Sequence, residues 1–283
     1  MKAAVFAQLN SMPLKVCGYN QFKIGVYLRQ EKSKRKYSNS FTFQKNLLSD
    51  FLIRTELRFA QGIEHEPKVD RMDGNASKNF LFEDIPHWAD YFISLKPYLQ
   101  EVRQLFYGLL TEQVKEELNK IPPPIIGVHI RMGDFRSVKS DQEFNTSGAV
   151  RTPIKYFIDS IQSIRSFIGH DLPVTVFSDG HEKELNDLLA LSKVSLAAGK
   201  RDIVDLLLLS RSKIIITSAG STFSYWAGFL SNAVLLHHPK KIPASIRSES
   251  FNRQYYEGPL FDTIEDNVLL KNLESIANDT EVP

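Results

Sequence analysis

The second half of the chain alternates between short apolar runs and stripes at helical spacing. Residues 125–130 are apolar and rich in β-branched side chains, which predicts a buried strand. Thr152-Pro153 predicts an N-cap followed by proline at the first helical position. Ile154, Phe157, Ile158, Ile161 and Ile164 then share one helical face, and Gly169 closes the segment. Further strands are expected at 173–177, 193–196, 213–217 and 233–236. Helices are expected between them at 181–191, 202–210 and 223–230. Strands alternating with helices imply a parallel sheet with helices on both faces, an α/β fold.

The first half is less regular. A long helix is expected after Lys96-Pro97, with Leu99, Val102, Phe106 and Leu109 as its apolar stripe. Pro122-Pro123-Pro124 cannot continue a helix, so a domain boundary falls there, giving domains 1–121 and 122–283. Many aromatic residues, among them Phe41, Phe43, Phe51, Phe59, Phe80, Phe82, Trp88, Tyr91 and Phe92, supply a core or line a cleft.

A chain of 283 residues suits two compact domains, and 42% hydrophobic with 24% charged residues is an ordinary globular profile. The net charge of +2 argues against nucleic acid as the partner and for a small anionic ligand held by a few placed cations. The basic run Lys32-Ser33-Lys34-Arg35-Lys36 reads as a solvated loop. With Cys17 alone, no intramolecular disulfide forms, in keeping with a reducing, cytoplasmic setting. The apolar run before Gln8 is too short for a signal peptide. Residues 214–236 are uncharged and long enough to span a membrane, but Thr217, Ser218, Ser221, Thr222, Ser224, Ser231 and Asn232 would be costly in lipid. We read that stretch as strand, polar loop and helix.

Ligands of open parallel sheets bind beyond the carboxyl ends of the strands. Three polar loops begin there. In the first, His129 to Asp134, the fork of Arg131 matches two phosphate oxygens, Gly133 permits a tight turn, and Asp134 can orient the arginine or accept an acceptor's proton. An Arg131–Asp134 salt-bridged turn without a ligand fits the same spacing. In the second, Ser178, Asp179 and Gly180 suit either a base or ribose contact or a strand-ending turn. The third, residues 218–224, runs into a helix whose free N–H groups and dipole favour an anion. Ser221, Thr222 and Ser224 can add donors, or the loop is a plain N-cap. Asp202 and Asp205 lie near a helix start. No Gly-Lys-Ser/Thr phosphate loop, dinucleotide fingerprint, Asp-x-Asp pair or His/Cys ligand cluster is present, so no metal is expected.

His-Ile-Arg-Met-Gly-Asp at 129–134 resembles the His-x-Arg-Arg-Gly-Asp motif of the α-1,2-fucosyltransferases. Val176-Phe177-Ser178-Asp179 is similar to that family's second motif. Asp205-Leu206-Leu207-Leu208-Leu209-Ser210, Ile214-Ile215-Ile216 and Ser221-Thr222-Phe223-Ser224-Tyr225-Trp226-Ala227 together are similar to its third. Phe22-Lys23-Ile24-Gly25-Val26-Tyr27-Leu28-Arg29 and Phe41-Thr42-Phe43-Gln44-Lys45 also look familial. The resemblance implies a GT-B-like fold of two Rossmann-like domains, the first on the acceptor side. It implies inverting, metal-independent transfer of L-fucose from GDP-fucose, the donor substrate, to a galactose-containing glycan, with no cofactor and with peripheral membrane association as an option. Carried over by position, Arg131 and Asp134 are the catalytic pair. His129, Arg131, Gly133, Ser178, Asp179, Asp205, Ser221, Thr222, Phe223 and Ser224 bind the donor. The alternatives are another nucleotide-sugar transferase or an inactive binding homologue. Two departures stand out. Met132 replaces a second arginine, and Met1 falls at the helix that ordinarily follows an opening strand and a Gly-Gly-Leu-Gly-Asn-like loop.

Overall fold

A computed structural model of the protein describes residues 1–17, 39–43, 47–72, 78–83, 92–138, 140–197, 201–260 and 265–280. The basic run at 32–36, the 22–29 motif, Gln44, Lys45, Trp88 and Tyr91 lie outside them. The chain divides into two compact units, and the second takes over at Leu118.

In the first unit, helix α1 (Lys2–Leu9) buries Ala4, Val5, Phe6 and Ala7. Helix α2 spans Leu47–Phe59. Strands β1 (Ile63–His65) and β2 (Asn79–Leu81) pair in parallel. Phe6 packs edge-on to Phe80 with ring centroids 4.9 Å apart. The long helix expected after Pro97 is broken. A 3-10 turn, Lys96–Tyr98, leads into α3 (Leu99–Gly108), and α4 (Glu112–Asn119) begins only after Thr111. The cause of the break is tertiary. Leu110 leaves the helix to bridge Phe41, and Thr111 N–H bonds Ser40 O.

The second unit is a six-stranded parallel sheet. Its strands are β3 (Ile126–Ile130), β4 (Val174–Ser178), β5 (Val194–Leu196), β6 (Ile214–Ile216), β7 (Val234–His237) and β8 (Glu257–Pro259). Their order is β5-β4-β3-β6-β7-β8. The helices between them are α5 (Asp141–Thr146), α6 (Ile154–Ile168), α7 (Asn186–Leu189), α8 (Asp202–Ser210), α9 (Thr222–Leu230), α10 (Glu249–Asn252) and α11 (Asn267–Thr280). Residues of β3, β6 and β7 are buried throughout, as expected of strands covered on both faces. On one face Ile126, Val128, Ile130, Ile214 and Ile216 join Phe157, Ile161 and Ile164 of α6 and Leu269, Leu273 and Ile276 of α11. On the other, Gly228 of α9 lies so close to Leu235 that a Cβ there would stand 2.7 Å from its Cδ2.

The expected α/β class is therefore present, with a parallel sheet flanked by helices. The uncharged 214–236 stretch is β6, a turn, α9 and β7. No helix among the described residues is long and apolar enough to cross a membrane. Gly169 ends α6 at φ 87°, the left-handed cap the sequence predicts. Thr152 does not cap that helix. The N-cap is Pro153, and the Thr152 hydroxyl accepts a hydrogen bond from the loop after β6 instead.

Candidate active site at the switch point of the sheet

The chain turns one way from β3 through β4 to β5 and then crosses back to β6, which pairs with β3 on its other side. The loops after β3 and β6 consequently splay apart at their carboxyl ends, and this is where doubly wound sheets seat their ligands. Ser218 joins the two loops. Its Oγ donates to His129 O at 2.9 Å and accepts Arg131 N–H at 2.8 Å. The hydroxyl is fully buried, so neither bond is exchanged with water.

The loop after β3 carries Arg131, whose guanidinium is held by two carboxylates. Nη1 bonds Asp179 Oδ2, and Nη2 lies 2.6 Å from Asp134 Oδ1. The two acids differ. Asp179 has a side chain 10% exposed and also accepts Met132 N–H at 2.8 Å, so it is built into the loop. The Asp134 side chain is 36% exposed and can be displaced more easily. The salt-bridged turn expected from the spacing is thus present, with a second acid from the loop after β4. Arg151 supports the loop from behind: Nε donates to Met132 O and Phe135 O at 3.2 and 3.0 Å, and Nη1 pairs with Glu184 at 2.6 Å. Gly133 does not need glycine's conformational freedom; the positive φ in the site is at Gly220, 72°. Met132 is buried in the core cluster and packs on Gly180, where a Cβ would overlap its sulfur. The side chain at this position lies in the apolar layer.

Ser178 Oγ donates to Ile130 O at 2.8 Å and accepts Gly180 N–H at 3.1 Å, tying the ends of β3 and β4 together. Asp205 stands half-buried in the first turn of α8, its N–H bonded to Arg201 O at 3.0 Å.

The loop after β6 is filled with internal bonds. Ala219 N–H donates to Thr152 Oγ1 at 2.9 Å, Gly220 N–H to Tyr225 Oη at 2.8 Å, and Ser221 N–H to Ser218 O at 3.2 Å. Ser221 is the N-cap of α9 but makes no capping bond, and Ser224 Oγ turns back to Ser221 O at 3.1 Å. The N–H groups of Thr222, Phe223 and Ser224, the first helical turn, make no hydrogen bond to any described residue. These three donors and the helix dipole, rather than the Ser224 hydroxyl, are what the loop offers an anion.

His129 lies between the two loops. Its ring stacks on Phe223, centroids 4.7 Å apart and planes at 23°. Nδ1 is buried and has no partner among the described residues. Burial lowers its pKa, and the positive charge of Arg131 lowers it further while Asp179 opposes; the net value is about 3, so the ring is neutral. His237 and His238 point to different neighbours, as adjacent strand residues must: His237 Nδ1 is 2.9 Å from Thr217 Oγ1, and His238 packs on Phe144 and Tyr156. Burial lowers the pKa of His237 as well, with Glu257 pulling the other way. Among the described residues no group of three metal-ligating side chains is found.

Thr152, Tyr225, Ser218 and Arg151 shape the site and were not singled out as site residues from the sequence. Each acts on a partner that only the fold brings near, except Tyr225, which reaches back one helical turn. The sequence did mark Ser218 as the start of the third polar loop and Tyr225 as part of the third family-like motif.

The second unit is thus a doubly wound parallel α/β domain with an arginine fork and an open helix N-terminus at its switch point. The sequence model of Glycosyl transferase family 11 matches residues 27–252, and the chain belongs to that family. No curated protein matches it. Among solved structures, it is similar to NodZ alpha-1,6-fucosyltransferase co-crystallized with GDP, at 18% identity and TM-score 0.37, covering 67% of this chain and 61% of that one. It is similar also to POFUT1 in complex with GDP-fucose, at 17% and 0.32, covering 47% of this chain and 46% of that one. A third is the E. coli ADP-heptose lps heptosyltransferase II, at 17% and 0.32, covering 61% and 53%. The chain thus spans less than two thirds of the length of each of these.

Proposed function

We propose that the protein is a fucosyltransferase that takes GDP-fucose as donor and a galactoside hydroxyl as acceptor, with inversion at the anomeric carbon and without a metal. The observation that carries this reading is the Ser218 hydroxyl, which ties the backbone of the loop bearing Arg131 to the loop that leads into the open first turn of α9. Family membership and the motif at 129–134 supply the sugar and the nucleotide. In this reading the diphosphate displaces Asp134 from Nη2 of Arg131 and takes the N–H groups of Thr222, Phe223 and Ser224. The acceptor oxygen attacks C1 of fucose as its proton passes to the freed Asp134 carboxylate. The C1–O bond breaks, and its electron pair leaves with GDP. The charge that grows on the leaving phosphate is met by Arg131 and the helix donors, which sit in place beforehand.

A nucleotide binder without turnover is favoured by one fact, the double hold of Asp134 and Asp179 on Arg131. Calorimetry with GDP and UDP, followed by transfer of labelled fucose from GDP-fucose to galactosides, decides. Binding of GDP over UDP with labelled product establishes the transferase; binding without product leaves a binder; preference for UDP overturns the donor assignment.

A further inference from the structure

The loop after β6 contains more hydrogen bonding than a helix start needs. Ser221 N–H closes the turn on Ser218 O. The two N–H groups ahead of it, on Ala219 and Gly220, are taken by hydroxyls from outside the turn, Thr152 at 2.9 Å and Tyr225 at 2.8 Å. Thr152 and Tyr225 are both buried. Thr152 stands at the head of α6, 67 residues from its partner, and leaves its own helix uncapped to make this bond. Tyr225 is fixed by its ring, which packs edge-on to His237 with centroids 5.8 Å apart. Gly220 is held at φ 72° between these two anchors. The Nδ1 of His129, buried against Phe223, borders the same turn as a polar atom without a partner among the described residues.

We infer that Thr152 and Tyr225 are positioning residues for the anion site. Their hydroxyls consume the two N–H groups that would otherwise compete for a phosphate, and they fix the direction in which Thr222, Phe223 and Ser224 present theirs. The ligand class is a diphosphate ester. The inference rests on the donor reading above only for the identity of the nucleoside. An anion site assembled in advance binds without reorganising, so removing either hydroxyl weakens anion binding although neither hydroxyl touches the anion.

The test uses Thr152→Val and Tyr225→Phe, which delete a hydroxyl at nearly constant volume, and Thr152→Ser, which keeps it. Affinities for GDP and for inorganic pyrophosphate are measured by calorimetry alongside thermal melts. Each deletion is expected to weaken both ligands by roughly five- to tenfold, the worth of one neutral hydrogen bond. Thr152→Ser is expected to restore binding. Melting temperatures that fall while both affinities stay at the wild-type value would show a structural role and overturn the inference. Loss of binding in Thr152→Ser equal to that in Thr152→Val overturns it too. If wild-type protein binds pyrophosphate but not GDP, the donor reading fails while the positioning role stands on the pyrophosphate series. If it binds neither, both fall.

Discussion

The loops after β3 and β6 lie side by side at the switch point, yet they are prepared for an anion in opposite ways. The loop after β3 owns a full positive charge and keeps it occupied: both outer nitrogens of Arg131 already hold carboxylates. The loop after β6 has no charge. It ties down its first N–H groups with buried hydroxyls and leaves the next three open. A full charge left unpaired in a partly buried cleft is costly, whereas an open neutral N–H at a helix end costs far less. The charged side of the site therefore works by exchange of partners and the neutral side by presentation.

The largest expected effect is on the charged side. Arg131→Lys keeps the charge and loses the fork, and should lower kcat/KM for fucosyl transfer by roughly 100- to 1000-fold. Steady-state kinetics check this, and unchanged turnover would remove the clamp from the mechanism. The second effect concerns His129, between the loops. Its folded pKa of about 3 lies below the unfolded value of 6.5, so the folded state binds fewer protons as the pH falls between the two. Stability from this group is complete above pH 6.5 and is lost downward through that window at up to about 1.4 kcal/mol per pH unit. His237, lowered by burial, acts with the same sign. Melting temperatures from pH 7.5 to 5 should fall, and His129→Asn should flatten the slope.

Asp134→Asn sharpens the contrast further. It removes the replaceable carboxylate, so GDP should bind several-fold tighter, an effect of about 1 kcal/mol typical of a partly exposed pair. Turnover should drop in the same variant, since the proton acceptor is gone. Weaker GDP binding in calorimetry would show that Asp134 orients Arg131 instead of competing for it. The smallest effect belongs to the neutral loop. At Gly220 nothing lies within 4 Å of where a Cβ would stand, so Gly220→Ala meets only the cost of a left-handed backbone. That is about 1 kcal/mol of stability in a denaturant melt.

The central strands and helices were legible because their apolar runs are dense and are punctuated by proline and glycine. Helix 202–210 was placed at its true limits, and β3 to within one residue. The polar helix α5, capped by Ser140, carries no apolar stripe to read, and β8 and α11 follow a stretch without a clear period. The break at Leu110 was hidden because Leu109 and Leu110 extend an apolar stripe that only the pairing with Phe41 interrupts. In the site, the three strand-end loops and most of their polar residues were legible. The division of labour among them was not. Asp179 lies 48 residues from Arg131, Thr152 lies 67 from Ala219, and no local pattern records such pairings.

The Ser218 hydroxyl bonds two residues that lie 87 and 89 positions before it in the chain. Its two bonds cannot form until β6 has found its place beside β3. A chain in which β3 and β6 have not paired therefore has no joined pair of loops at the switch point, and a ligand that needs both loops would stabilise only chains that have made this long-range pairing.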